Sequence, residues 1–121
     1  MDRDIYQEEI LEHYRHPRNF GAIKKPTYSS SAENPLCGDS IVLELRIKRN
    51  KVDDVGFTGS GCALSTASAS LFTEWMRGKT LAQLRKAKPS QLFHLIEIPI
   101  TPVRHQCVLL PLKSLQRALG P

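Results

Sequence analysis

The segment Ile41-Val42-Leu43-Glu44-Leu45-Arg46-Ile47 decides the architecture. Ile41, Leu43, Leu45 and Ile47 fall on one face, while Glu44, Arg46 and the following Lys48 fall mainly on the other, which is the two-residue period of a half-buried strand. Arg49-Asn50-Lys51 makes a polar turn in which Asn50 suits a positive φ. Val52 to Phe57 supplies a second β-run, so the two strands are expected to pair as an antiparallel hairpin. Gly59-Ser60-Gly61 breaks the strand. From Leu64, the small residues Ala67, Ser68 and Ala69 lead into Leu71, Phe72 and Trp75, predicting a core-packed helix that ends at Gly78. Thr80 caps a short helix through Lys88, and Pro89-Ser90 starts another apolar segment reaching Ile98. Pro99 and Pro102 impose an extended connector. After Cys107, the residues Val108, Leu112, Leu115 and Leu119 keep helical spacing, and Pro111 is expected in the first turn of that helix.

Upstream of the hairpin, Tyr6, Ile10 and Tyr14 recur every fourth residue behind a possible Asp2 or Asp4 cap, predicting a helix that Pro17 stops. His16-Pro17-Arg18-Asn19-Phe20-Gly21 is turn-rich. The polar stretch from Pro26 to Asn34, with its Ser29-Ser30-Ser31 run, reads either as a linker or as a weak edge strand. The sum is a helix, a small antiparallel sheet and then several helices, an α+β arrangement with helices on one sheet face.

A length of 121 residues fits one domain, expected over 1–121, and 40% hydrophobic with 24% charged residues is a globular composition. Seventeen Lys and Arg against twelve Asp and Glu give a net charge of +5. The excess, which includes Lys48, Arg49, Lys51, Arg85, Lys86 and Lys88, reads as a solvated surface or as one that docks an acidic partner. No stretch approaches eighteen consecutive apolar residues, and Met1-Asp2-Arg3-Asp4 lacks the order of a signal peptide, so a soluble, cytoplasmic protein without membrane contact is expected. Nucleic-acid binding is the weakest function class, because no helix-turn-helix, aromatic RNA-binding pair or zinc-finger spacing accompanies the positive charge.

Three cysteines form no Cys-x-x-Cys pair, which excludes a disulfide framework and a zinc knuckle. Each sits at a backbone discontinuity. Cys37 lies in Asn34-Pro35-Leu36-Cys37-Gly38-Asp39, a turn before the first clear strand, where Gly38 lets the thiol and the Asp39 carboxylate aim at one point. Cys62 lies between a strand and a helix; its two glycines allow close backbone approach to a ligand, and the helix N-terminus favours thiolate. Cys107 follows Arg104-His105-Gln106 and opens the last helix. Three thiolates plus one oxygen or nitrogen ligand make a tetrahedral set for zinc, and soft sulfur donors equally suit an iron–sulfur cluster. Buried cysteines also serve as small packing residues, so spacing alone leaves the choice open.

Four blocks carry a resemblance. They are Glu12-His13-Tyr14-Arg15-His16-Pro17-Arg18-Asn19-Phe20-Gly21, Asn34-Pro35-Leu36-Cys37-Gly38-Asp39, Gly59-Ser60-Gly61-Cys62-Ala63-Leu64-Ser65-Thr66-Ala67-Ser68-Ala69-Ser70 and Pro102-Val103-Arg104-His105-Gln106-Cys107. In this order and spacing the sequence resembles the NifU N-terminal family, which includes the IscU and SufU iron–sulfur scaffolds. The resemblance implies the SufE/NifU fold, a three-stranded antiparallel sheet with helices on one face, so that the serine-rich segment supplies the third strand. It implies that Cys37, Cys62 and Cys107 converge with Asp39 to hold a transient 2Fe-2S cluster or a Zn2+ ion. It further implies that Cys107 accepts sulfur from a cysteine desulfurase, with apo iron–sulfur proteins or carriers as recipients and a dedicated chaperone as a further partner. The expected function is a cluster assembly scaffold rather than an enzyme; the alternative is a zinc-dependent sulfur acceptor of the SufU type. Two positions depart from the IscU pattern. Gln106 stands where that branch has histidine, leaving His105 one residue early, which turns the side chain by about 100° on a helix. Ile100-Thr101-Pro102-Val103-Arg104 replaces the chaperone-binding Leu-Pro-Pro-Val-Lys.

Overall fold

Alternation along the central strand organises the molecule. In β2 (Asp39–Lys48) the side chains of Asp39, Ile41, Leu43 and Leu45 are buried, and Val42 between them is exposed. β2 pairs with β3 (Lys51–Ser60) in the register Ile41↔Gly59, Leu43↔Phe57 and Leu45↔Val55, with an irregularity between Arg46 and Ile47. The connection is a two-residue turn in which both Arg49 (φ 52°) and Asn50 (φ 66°) are left-handed, the conformation that matches the twist of a tight hairpin. On its other edge β2 pairs with β1 (Tyr28–Asn34), giving an antiparallel sheet of order β1-β2-β3. The serine-rich segment is therefore the edge strand, and its outer carbonyls are capped from the neighbouring C-terminal helix: Ser114 Oγ donates to Ser30 O at 3.0 Å and Arg117 to Ser31 O at 3.1 Å. The computed structural model describes residues 2–35, 38–97 and 99–120, and the side chains of the first helix from Gln7 onward.

Among the described residues five α-helices accompany the sheet: α1 (Asp2–Arg15), α2 (Ala63–Met76), α3 (Leu81–Arg85), α4 (Pro89–Ile96) and α5 (His105–Leu119). α2 and α5 lie against the inward face of the sheet, α1 packs on α2, and α4 fills the space beside both core helices. Leu43, Leu45 and Val55 from the sheet meet Phe72 and Met76 from α2 and Val108 and Leu115 from α5 in the core. Small side chains in α2, Ala67 and Ala69 among them, are buried and let α2 approach its neighbours closely. Trp75 packs at the margin of this core, stacked on Phe72, with Lys79 Nζ 5.2 Å from its ring centre. Among the described residues no helix is long and apolar enough to cross a membrane.

Three local readings differ from the sequence expectation. Pro111 lies in the second turn of α5, not the first, because a 3-10 turn at Pro102–Arg104 runs directly into His105 and starts the helix early. That same turn replaces the extended backbone expected at Pro102. α3 stops at Arg85 rather than Lys88: the residue before a proline avoids helical angles, and Lys88 is extended (φ −124°, ψ 157°) ahead of Pro89. The expected end of α4, Ile98, lies outside the described residues; the helix closes at Ile96, with Glu97 left-handed (φ 61°). Thr80 caps α3 as anticipated, in a reciprocal box with Gln83.

Of the row Tyr6, Ile10 and Tyr14, α1 buries Ile10 but not Tyr14, and the side chain of Tyr6 lies outside the described residues. Tyr14 is 45% exposed, whereas Ile10 and His13 are buried. His13 takes the inward position because α2 offers it a partner. Ser70 Oγ lies 2.6 Å from His13 Nδ1 and accepts the backbone N–H of Arg18 at 2.8 Å. The hydroxyl has a further lone pair and a proton, so it serves either tautomer of the ring, whose Nε2 faces Glu74 Oε1 at 3.8 Å. Beyond this point the chain crosses to the sheet. Phe57 N–H donates to Asn19 O at 3.0 Å, Gly21 N–H donates to Phe57 O at 2.7 Å, and the Phe20 and Phe57 rings meet edge to face. The crossing requires Gly56, since a Cβ there would lie 2.3 Å from Gly21 O.

Two predictions follow from this N-terminal docking. Burial, followed by the Arg18 charge, lowers the His13 pKa below 6.5, against smaller opposing effects of Glu74, Glu9 and Glu12. The neutral ring is thus favoured in the folded state. Its stabilisation is present above the unfolded value and is lost as pH falls through the lowered folded value. The thermal midpoint should fall between pH 7 and pH 5 more steeply in wild type than in His13→Asn, and equal slopes would contradict the assignment. Gly56→Ala should cost about 1–3 kcal/mol in denaturant unfolding, as overpacking against backbone does.

Candidate metal and sulfur site

The inward face of β2 begins with a carboxylate. Asp39 is 3% exposed and occupies the same row as Ile41, Leu43 and Leu45, so the strand that builds the core also carries an acid to its end. A buried carboxylate needs hydrogen bonds. Asp39 Oδ1 accepts the backbone N–H of Cys62 at 3.2 Å, and Oδ2 lies 3.9 Å from Cys62 Sγ.

Cys62 stands where β3 gives way to α2. It is the N-cap residue in extended conformation (φ −73°, ψ 173°), and its carbonyl accepts Thr66 N–H at 3.1 Å and Ser65 Oγ at 3.0 Å. Its thiol is half-buried. The flanking glycines serve contacts within the protein: a Cβ on Gly59 (φ 140°) would lie 2.2 Å from Ser40 O, and one on Gly61 would lie 2.3 Å from Ser65 Oγ and 3.0 Å from Asp39 Oδ1. Close approach was expected toward a ligand; it is directed instead at the residues that hold the ligand candidates.

Cys107 is the third residue of α5 and is fully buried. Asn34 Nδ2 donates to its Sγ at 3.8 Å. The ligand atoms of Asp39, Cys62 and Cys107 all lie within 4.8 Å of one another. Tetrahedral zinc with sulfur at about 2.3 Å has ligand-to-ligand edges near 3.8 Å, so small rotations of these side chains suffice to enclose a metal. The fourth residue of the expected set, Cys37, lies outside the described residues.

His105 is directed elsewhere. Its Nε2 is 3.2 Å from Ile100 O, and its ring packs against Phe93 at 4.9 Å, which ties the 99–104 segment to α4. It is not part of the group formed by Asp39, Cys62 and Cys107. Arg104 is exposed. Asn34 is the residue that sequence reading missed. It was quoted only as part of a motif, although a polar side chain in an inward strand position signals a need for an interior partner.

The profile of the NifU-like N terminal domain matches residues 5–120. The iron–sulfur cluster assembly scaffold protein IscU of Haemophilus influenzae is 33% identical over 119 residues, covering 95% of this chain and 93% of that protein. IscU of Escherichia coli K12 is 33% identical over 121 residues, covering 95% and 91%. Among solved structures, the putative iron–sulfur cluster assembly scaffold protein for the SUF system of Fervidobacterium islandicum AW-1 superimposes with a TM-score of 0.79 at 27% identity, covering 99% of this chain and all of that one. A NifU-like N-terminal protein of Brucella abortus shares the fold, with a TM-score of 0.78 at 24% identity over 98% and 94% of the two chains. With its sheet, its helices and its Asp/Cys group at one end of that sheet, the chain belongs to the NifU N-terminal family.

Proposed function

We propose that this chain is an iron–sulfur cluster assembly scaffold, acting as one domain over 1–121 in the reducing cytoplasm, and that a 2Fe-2S cluster is its cargo. The observation that carries the reading is the convergence of Asp39, Cys62 and Cys107 within 4.8 Å, drawn from the start of β2, the β3–α2 junction and the start of α5. The names of the relatives point the same way. We assign Cys37, Asp39, Cys62 and Cys107 as the ligands.

A scaffold has to hold its cargo and also release it. Thiolates bind iron strongly, and a hard carboxylate is a poorer match for a soft iron–sulfide centre. Asp39 is weakened further because Oδ1 already accepts the Cys62 N–H, leaving Oδ2 as the oxygen turned toward the thiols. Asp39 is thus the ligand that opens first. In Asp39→Ala, transfer of the reconstituted cluster to an apo-ferredoxin should slow by about tenfold, the lower end of effects seen for groups around metals. Transfer at the wild-type rate would remove Asp39 from this role.

Sulfur arrives by exchange. The Cys107 thiolate attacks the outer sulfur of a persulfide on a cysteine desulfurase; a new S–S bond forms at Cys107, and the donor thiolate leaves with the electron pair of the broken bond. No net redox change occurs in that step. Release as sulfide takes two electrons and a proton, supplied by an external thiol or an electron-transfer protein. Cys107 is enclosed and Cys62 is half-buried, so acceptance at Cys107 requires the surrounding loops to part on docking. After incubation with desulfurase and cysteine, peptide-resolved mass spectrometry should find one added sulfur on Cys107. An adduct confined to Cys62 would move the role there, and none on any cysteine would abolish it. The recipients are apo iron–sulfur proteins or carriers, with a dedicated chaperone assisting release.

The tight spacing of the same donors favours a second reading, a zinc-bound sulfur acceptor. Anaerobic purification separates the two. Iron with matching sulfide and visible absorption supports the scaffold; protein that stays colourless and zinc-bound after iron and sulfide are supplied supports the acceptor.

A further inference from the structure

Asn34 closes β1 in an inward position, after buried Ala32, and is itself 6% exposed. Its two ends reach different parts of the site. The backbone carbonyl accepts Gly38 N–H at 2.8 Å, tying the end of β1 to the residue just before β2. The side-chain Nδ2 donates to Cys107 Sγ at 3.8 Å, across 73 residues of sequence. In the sheet, Asn34 is the register partner of Asp39. A single residue therefore connects Gly38, the Asp39 strand and the Cys107 helix.

An N–H donor aimed at a thiolate sulfur withdraws electron density from it. A metal bound through that sulfur is held less tightly, and an iron–sulfur centre so bonded has a higher reduction potential. We propose that Asn34 tunes Cys107 in this way, as a positioning residue that touches the ligand and not the metal. The proposal rests on the metal-site reading given under Proposed function. It divides the loosening of the site between two hydrogen bonds from separate elements: the Cys62 N–H acts on Asp39, and the Asn34 amide acts on Cys107.

The wild-type chain, 15N-labelled and loaded with 113Cd2+, supplies the first test. A scalar coupling from cadmium to one Asn34 Nδ2 proton, transmitted through N–H···S–Cd, is the expected result. Cadmium held by thiolates without that coupling would overturn the proposal. The second test uses Co2+. In Asn34→Leu, which keeps the size and removes the donor, the thiolate-to-cobalt charge-transfer band should move to longer wavelength, and removal of the metal by EDTA should slow about 2- to 10-fold, the scale of one hydrogen bond. Neither quantity should respond to Asn34→Leu when Cys107→Ser is already present. An unchanged band and rate, or an equal effect without the Cys107 sulfur, would contradict the tuning role. If Asn34→Leu does not fold, the cadmium coupling in wild type decides alone. Wild type that shows no thiolate charge transfer with cobalt and no thiolate-range cadmium resonance would overturn the metal site itself, an outcome distinct from failure of Asn34 alone.

Discussion

The inward register of β2 is the constraint on which the rest of this structure depends. Side chains alternate along a strand, so a slip by one residue would turn Ile41, Leu43 and Leu45 toward solvent and move Asp39 out with them. Core and site are thus specified by the same register. The hydrophobic stretch fixes the strand against α2 and α5, and the carboxylate at its start is carried into position by packing that it does not itself provide. The hairpin at Arg49-Asn50 and the β1 pairing hold that register from either side. The cost of a buried acid is offset locally by the Cys62 amide.

The same logic explains what could be read in the chain. β2, β3 and their turn were legible because a two-residue apolar period and a left-handed asparagine are strong local signals. β1 was not legible from composition. Of its inward row Tyr28, Ser30, Ala32 and Asn34 only the last two are buried, and its serines are polar groups whose backbone is satisfied by α5, far away in sequence. α1 was placed correctly and Ile10 faces inward as its spacing implied, but Tyr14 is exposed and the inward position beside it is taken by His13, whose partner lies on α2. Pro111 was misplaced because nothing local shows that a 3-10 turn at Pro102 feeds the last helix.

The site was read in a similarly divided way. Cys62, Cys107 and Asp39 stood out through their settings and through the family resemblance, and the fold brings their donor atoms within 4.8 Å of one another. His105 was ambiguous at the level of sequence because its neighbours Phe93 and Ile100 belong to other segments; in space they claim the ring. Asn34 lay beyond reach for the opposite reason. Its neighbour in the motif is Pro35, and nothing in that stretch names a sulfur 73 residues away.

Pro111 in α5 has a mechanical meaning for the whole site. A proline inside a helix supplies no N–H to the carbonyl four residues earlier, and that carbonyl belongs to Cys107. The rung that would bolt the cysteine to the body of the helix is therefore missing by covalent structure. Residues 105–110 form a short leading segment, joined on one side to the Pro102–Arg104 turn and on the other to a helix anchored in the core by Leu112 and Leu115. What fastens the sulfur-bearing end of α5 is therefore packing rather than that rung: Val108 and Leu110 are buried in the core, and Ser68 Oγ donates to Val108 O at 2.6 Å.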